Sequence, residues 1–391
     1  MSDADSRKPG PSEKRRPVLF SHGDTGYLRL RKLTHGPGEQ KRFLCLPRTG
    51  DKEGAPKDGP LVEVAMVGAS AHWTSHARLE DAAELALLLS HPAIPRTHGL
   101  FQHRGGRYLV TEYVSGISLN MAGHYGSVRG RQLSEAFTLY VASVVADVLS
   151  YVHTLTDAAG RPLGIIHRAV DPYNVILKHD GTVMLAHFMS ACSLLPGRAP
   201  VVPFIVQGEI DFAAPERLGP MPEGGVDSRS DLFSVGMVML EMITGLQLYG
   251  SDEVEKAAEK LPPGHPGYDG EVPWVSEVSS WTTVEEMARR AAAFRPEHID
   301  HLMRRVSEPV RLIIHKLLRR RPEERYATAA ALKGDLDACL GVLDAPYGAR
   351  EAIEELLKAR SDALAVKGPI ELIPSDEAER RAGELYLLTN H

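Results

Sequence analysis

The sequence predicts an α+β chain in two lobes, a small five-stranded sheet with one helix followed by a larger helical lobe, and three observations carry that reading. Between Tyr27 and Val114 apolar residues fall in short, largely alternating runs, YLRLRKL, RFLCL, LVEVAMV, GLFQ and RYLVTEYV, separated by Gly- and Pro-containing turns. From Leu133 to Leu155 the apolar spacing lengthens to three or four residues, through Phe137, Val141, Val144, Val148, Leu149 and Val152. Leu232 to Leu240 is apolar on every side, as expected of a helix sunk in a large core, and it is too short to span a membrane.

Residues 1–20 form a leader rich in Ser, Pro, Lys and Asp, which has too little apolar surface to order itself. The small lobe takes residues 21–116. Its first two strands flank THGPGEQK, RTGDKEGAPKDGP is a polar loop before the third strand, and Arg78 to Leu89 is its helix, stopped before Pro92. The helical lobe takes residues 117–345 after a linker near Val114 to Leu119. It includes an enlarged segment, 246–309, carrying Trp274 and Trp281. Thr283 to Phe294, opened by a Thr282-x-x-Glu285 capping box, and Pro309 to Arg319 are further helices. Residues 346–391 add a helix over Glu351 to Ala363, with Ile353, Leu356 and Leu357 on one stripe, and a tail.

The chain has 391 residues, 43% of them hydrophobic, enough to bury a full core. A net charge of -6 provides no overall basic field, so nucleic acid is not an expected partner. Cys45, Cys192 and Cys339 are too far apart for a metal motif or a disulfide framework and fit a reducing, cytoplasmic setting; no metal site is expected. No run reaches the roughly 18 apolar residues of a membrane span, and the charged N-terminus lacks a signal-peptide core.

The densest chemistry lies in HRAVDPYNVIL, residues 167–177, followed by His187-Phe188-Met189. With Ala214-Pro215-Glu216, Asp231 in SDLFSVG and Arg325 in PEER, these motifs resemble the Ser/Thr protein kinase superfamily over about Tyr27 to Leu343. The wording of the loop is similar to that of myxobacterial kinases, which implies a bacterial origin. The resemblance implies structural roles for six residues. His167 and Phe188 would cap a hydrophobic spine, Arg168 belongs to the loop, Asp231 would hold the loop's backbone, and Glu216 would pair with Arg325. Buried charges need such partners.

Where the family keeps charge, this chain has lost it. Phosphoryl transfer relies on positioning and charge neutralisation by a base, a Lys on the phosphates and a metal-binding Asp. At those positions stand Ala169, Val67 and His187. The ion-pair Glu of the small lobe's helix is Ala82, and the Lys after the base is Asp171. Asn174, a Mg²⁺ ligand in the family, is kept. The nucleotide cleft, if used, would comprise Thr34, Gly36 and Gly38 of the glycine-poor hairpin, Ala65 and Ile176 around the ring, Thr111, Glu112 and Val114 at the hinge, and Asn174. The resemblance therefore implies a pseudokinase. Its expected partner is a protein, an active kinase or its substrate, and no cofactor is required; ATP or ADP would enter without Mg²⁺ dependence. The alternative is a weakly active or rewired transferase using Asn174, Asp171 and His187.

Overall fold

The computed structural model describes residues 17–33, 41–50, 57–194, 205–206, 208–218, 226–261, 275–276 and 282–368. The N-terminal lobe is a curled antiparallel sheet of β1 (Val18–His22), β2 (Thr25–Lys32), β3 (Lys41–Thr49), β4 (Lys57–Asp58) and β5 (Val62–Val67), then, after helix α1 (Trp73–Leu88), β6 (Thr97–His103) and β7 (Gly106–Glu112). The strand order is β1-β2-β3-β5-β7-β6, with β4 paired to β3.

Both faces of this sheet are covered. On the outer face Phe20, Tyr27, Phe43, Val64, Tyr108 and Val110 pack together, with the Phe20 ring 4.3 Å from both Tyr27 and Tyr108. Such offset aromatic contacts add to plain area burial. On the inner face Ala65, Val67 and Leu109 meet Leu79 and Ala83 of α1. Period-two alternation assigns each strand residue to one face, so Glu63 shares the inner face with Ala65 and Val67.

Two strands exceed the five expected. The strand β1 begins at Val18, inside the stretch read as a leader, because Phe20 gains the aromatic cluster as its burial site. The short β4 is pinned by Arg48 to Asp58, a bidentate pair of 2.6 and 3.0 Å that no hydrophobic pattern announces.

A short strand, β8 (Gly116–Ser118), leads into the helical lobe and pairs with β9 (Val175–Lys178), which pairs with β10 (Val183–Leu185). Gly116 is needed there: a Cβ would lie 2.4 Å from the Leu177 carbonyl oxygen. The lobe's helices are α2 (Leu119–Val128), α3 (Glu135–Thr154), α4 (Arg229–Thr244), α5 (Asp252–Glu259), α6 (Val284–Ala293), α7 (Pro296–Leu302), α8 (Glu308–Leu317), α9 (Ala329–Gly341) and α10 (Ala349–Val366). By length and composition α3 could cross a membrane. Here Phe137, Val141, Val145, Val148, Leu149 and Val152 bury it in the lobe's core. The apolar α4 runs through the same core and ends at Gly245 in a left-handed cap, φ 72°.

Three helix details differ from expectation. Helix α1 begins at Trp73, five residues before the expected Arg78. The cap of α6 is Thr283, whose hydroxyl accepts from the Glu286 amide, one residue later than the Thr282 box. The stripe on α10 is Ala352, Ile353, Leu356, Ala359 and Ala363, and Leu357 is 44% exposed, because the helix rolls to pack on α2 and α3. That docking is fixed by Glu355, whose carboxylate accepts from the Ser134 amide at 2.6 Å and hydroxyl at 2.7 Å at the N-terminus of α3. The stripe is thus covered by the chain's own lobe. Trp274, Trp281 and residues 369–391 lie outside the described residues, as do Thr34, Gly36 and Gly38.

Candidate functional site: the interlobe cleft

The catalytic-type loop is held from beneath by α4. Asp231, fully buried, accepts from the His167 and Arg168 amides at 2.8 Å each and lies 2.9 Å from His153 Nε2. The partners His153 and His167 outweigh the cost of burial and hold the Asp231 carboxyl below its usual range. Anchored this way, Arg168 adopts φ 63°, a left-handed backbone that a bulky side chain takes only under constraint, and its Nε donates to the Ser190 carbonyl at 2.7 Å. His167 accepts the Ala169 amide on Nδ1 at 3.2 Å and meets the Phe188 ring edge-on at 4.5 Å. Burial pushes its imidazole down to about 4. Gly208, at φ 73°, lets the following segment lie on this loop, since a Cβ would sit 2.9 Å from Ala169 Cα.

Farther from the cleft, Glu216 and Arg325 form a bidentate pair at 2.7 and 2.8 Å. The structure thus brings together His167, Arg168, Phe188 and Asp231 at the loop, and Glu216 with Arg325 beneath it.

The cleft above the loop is lined by Ala65, Ala82, Thr111, Glu112, Val114, Asn174, Ile176 and His187 among others, so these predicted residues share one cavity. Val67 is buried against α1, and Ala169 and Asp171 lie under the cleft floor, 5% and 2% exposed. Asp171 does not reach the cavity as a free base. It accepts from the Tyr173 amide at 3.0 Å, the Asn174 amide at 3.1 Å and Asn174 Nδ2 at 2.9 Å, while burial pushes its carboxyl up to about 7.

Two residues that sequence reasoning passed over dominate the cleft. Arg42 on β3 and Glu63 on β5 are diagonal neighbours across the strand pair, where Arg42 faces Ala65 and Leu44 faces Glu63. Arg42 Nε donates to Glu63 Oε1 at 2.5 Å and Nη2 to Oε2 at 2.9 Å. Burial works against ionisation of Glu63, but the Arg42 guanidinium prevails and keeps its carboxyl well below the ordinary range. A signal existed in the sequence: one Glu in phase with Ala65 and Val67 on a strand buried on both faces demands a cation.

The pair extends into a chain of contacts. Asn174 Nδ2 donates to the Ala169 carbonyl at 3.0 Å and to Asp171. Its Oδ1 therefore accepts from His187 Nδ1 at 2.6 Å, and His187 Nε2 accepts from Arg42 Nη2. His187 is held at φ 65° in this arrangement. Mg²⁺ needs several oxygen ligands in near-octahedral array. Here the Asn174 amide oxygen is engaged by an imidazole, and the neighbouring position is that imidazole, so the donor set does not fit the ion. Among the described residues no group of three or more His, Cys, Asp or Glu is placed to bind a metal.

Outside the network, Glu241 on α4 is largely buried with one oxygen lacking a partner, and burial pushes its carboxyl up to about 7. A raised carboxyl favours the folded state at pH below its ordinary value of about 4.5, and that advantage is lost as pH rises through 7. Glu241→Gln is therefore expected to be more stable than the parent at pH 8 by about 2–3 kcal/mol, with the gap closing below pH 4.5. Urea titrations at pH 8 and 4.5 test this; a pH-independent difference would contradict it.

The fold and this loop architecture define a protein kinase domain. The chain belongs to that family, whose profile matches residues 69–336. A tyrosine-protein kinase of Myxococcus xanthus, MasK, is 26% identical over 331 residues, 83% of this chain and 44% of that protein. A probable serine/threonine-protein kinase of Streptomyces coelicolor is 26% identical over 305 residues, 77% of this chain and 38% of its own length. The serine/threonine-protein kinase PknB of Mycolicibacterium smegmatis is 27% identical over 265 residues, 66% and 35%. The chain spans less than half the length of these relatives.

Proposed function

We propose that this kinase-family chain is a pseudokinase, which binds a protein partner, an active kinase or its substrate, instead of transferring phosphate. The observation that carries the reading is the unbroken contact chain Arg42–Glu63, Arg42–His187 and His187–Asn174, which occupies the place where a kinase holds phosphates and metal. Ala169 cannot accept a proton, and the nearest carboxylate, Asp171, is committed to the Tyr173 and Asn174 amides and Asn174 Nδ2. Loss of one charged group of this kind costs on the order of 10³ in rate, and three are replaced here.

The alternative is a weakly active or rewired transferase using Asn174, Asp171 and His187. Incubation of the purified chain with radiolabelled ATP, generic protein substrates and either Mg²⁺ or Mn²⁺ separates the two. No incorporation above a heat-treated control is expected. Incorporation that disappears in Asn174→Ala would establish the alternative.

A further inference from the structure

We infer that the two lobes are clasped shut by the chain's own side chains, so that closure over the cleft needs no bound nucleotide. Two contacts among the described residues carry this. In the first, Arg42 on β3 belongs to the N-terminal lobe and His187 to the helical lobe, and Arg42 Nη2 donates to His187 Nε2 across the cleft. Both ends of that bridge are fixed by their own lobe. Glu63 accepts from Arg42 Nε at 2.5 Å and Nη2 at 2.9 Å, and Asn174 Oδ1 accepts from His187 Nδ1 at 2.6 Å. Arg42, Glu63 and His187 are only 15%, 11% and 21% exposed, and polar contacts count for more in such surroundings than on the open surface.

The second contact is apolar. Met189, in the short 3₁₀ turn Phe188–Ser190 of the helical lobe, packs against the inner core of the N-terminal lobe, the cluster of Ala65, Val67, Leu79, Ala83 and Leu109. A glycine at this position would bring no side chain to that core. Two-lobed proteins ordinarily close around a ligand, which supplies the contacts that hold the closed form. Here opening separates Arg42 from His187 and draws a methionine out of an apolar core into water, so the closed form is favoured before any ligand arrives. The inference goes beyond the pseudokinase reading and does not depend on it. A surface spanning both lobes would keep one shape whatever nucleotide is present, which suits a chain that offers itself to a protein partner.

Double electron–electron resonance on the full chain tests the inference. Spin labels go on Lys41→Cys, exposed beside Arg42 at the start of β3, and Lys256→Cys, exposed on α5, in a background of Cys192→Ser and Cys339→Ser that keeps the buried Cys45. Without nucleotide the parent is expected to show a narrow separation that shifts by less than about 2 Å when ATP and Mg²⁺ are added. His187→Asn puts in a residue that tolerates the left-handed backbone but is too short to meet Arg42, and Met189→Ala removes the apolar contact. Each is expected to broaden the distribution, and the two together to lengthen its mean by more than about 2 Å, with far-ultraviolet circular dichroism unchanged. A parent that is broad without nucleotide, or that closes by more than about 2 Å on adding ATP and Mg²⁺, overturns the inference, as do folded variants with the parent's distribution. Should the double variant fail to fold, the parent titration and the single variants decide. Phosphate transfer by a chain that is closed without nucleotide would sink only the pseudokinase reading; an open parent that transfers no phosphate would sink only this one.

Discussion

Arg325→Ala is expected to cost about 3–5 kcal/mol and to leave the helical lobe unfolded or aggregating near physiological temperature. The side chain is 0% exposed and spends its guanidinium on five acceptors. Two are the Glu216 carboxylate oxygens, and the others are the carbonyls of Arg319 at 2.7 Å, Arg229 at 3.0 Å and Arg320 at 2.9 Å. The guanidinium also lies 4.9 Å from the centre of the Phe233 ring on α4. Alanine would orphan a buried carboxylate and three carbonyls at once and leave a cavity beside α4. Glu216→Gln keeps the shape and one acceptor oxygen, while its amide NH2 cannot accept from the second Arg325 N–H, so it should cost less than Arg325→Ala but not be neutral. Urea denaturation followed by far-ultraviolet circular dichroism reads both. An Arg325→Ala chain within 1 kcal/mol of the parent would show that this cluster does not hold the lobe together.

That cluster was legible before any coordinates through the resemblance to the kinase family, which implied that Glu216 pairs with Arg325 and that Asp231 holds the loop; the physical support is that buried charges need partners. Helices α3 and α4 were equally legible, since their apolar periodicity persists over many residues. The strand β1 was not: VLF is a short apolar run at the end of a charged leader, and Phe20 gains its burial only from partners such as Tyr27 and Tyr108, which other strands bring to it. Caps were displaced by one residue at α6 because Thr282 and Thr283 are locally equivalent, and tertiary placement chooses between them.

At the cleft, the sequence revealed which charged groups are missing and concealed which had taken their place. Reading the motif positions Val67, Ala82, Ala169 and His187 one by one describes a site stripped of charge. Arg42 and Glu63 occupy no motif position. Their meeting depends on the register of β3 against β5, in which Arg42 lies opposite Ala65, and a one-residue slip would send Arg42 to the outer face. The cleft is therefore charged but internally neutralised, a different electrostatic object from an empty one.

The energetic weight of that neutralisation gives the second large effect. Arg42→Ala is expected to destabilise the N-terminal lobe by about 3–5 kcal/mol at pH 7, because it leaves the Glu63 carboxylate, 11% exposed, with only His187 at 3.5 Å. Replacing both residues, Arg42→Ala with Glu63→Ala, removes the orphaned charge and should restore most of the loss, giving a coupling of at least about 2 kcal/mol in the double-mutant cycle. The pH dependence has a definite sign. In the parent chain the Glu63 carboxyl is held below its ordinary value, so its stabilising contribution is present above about 4.5 and is lost as pH falls. In Arg42→Ala the same carboxyl, buried without its cation, moves upward, and that chain regains stability as pH falls. The gap between parent and variant must therefore be widest near neutrality and narrow from both sides below pH 4.5. Thermal denaturation of the four chains of the cycle at pH 7.5 and pH 4 measures this directly; a gap that stays constant or widens in acid would mean that Arg42 stabilises the lobe by packing its methylenes, with the ion pair contributing little.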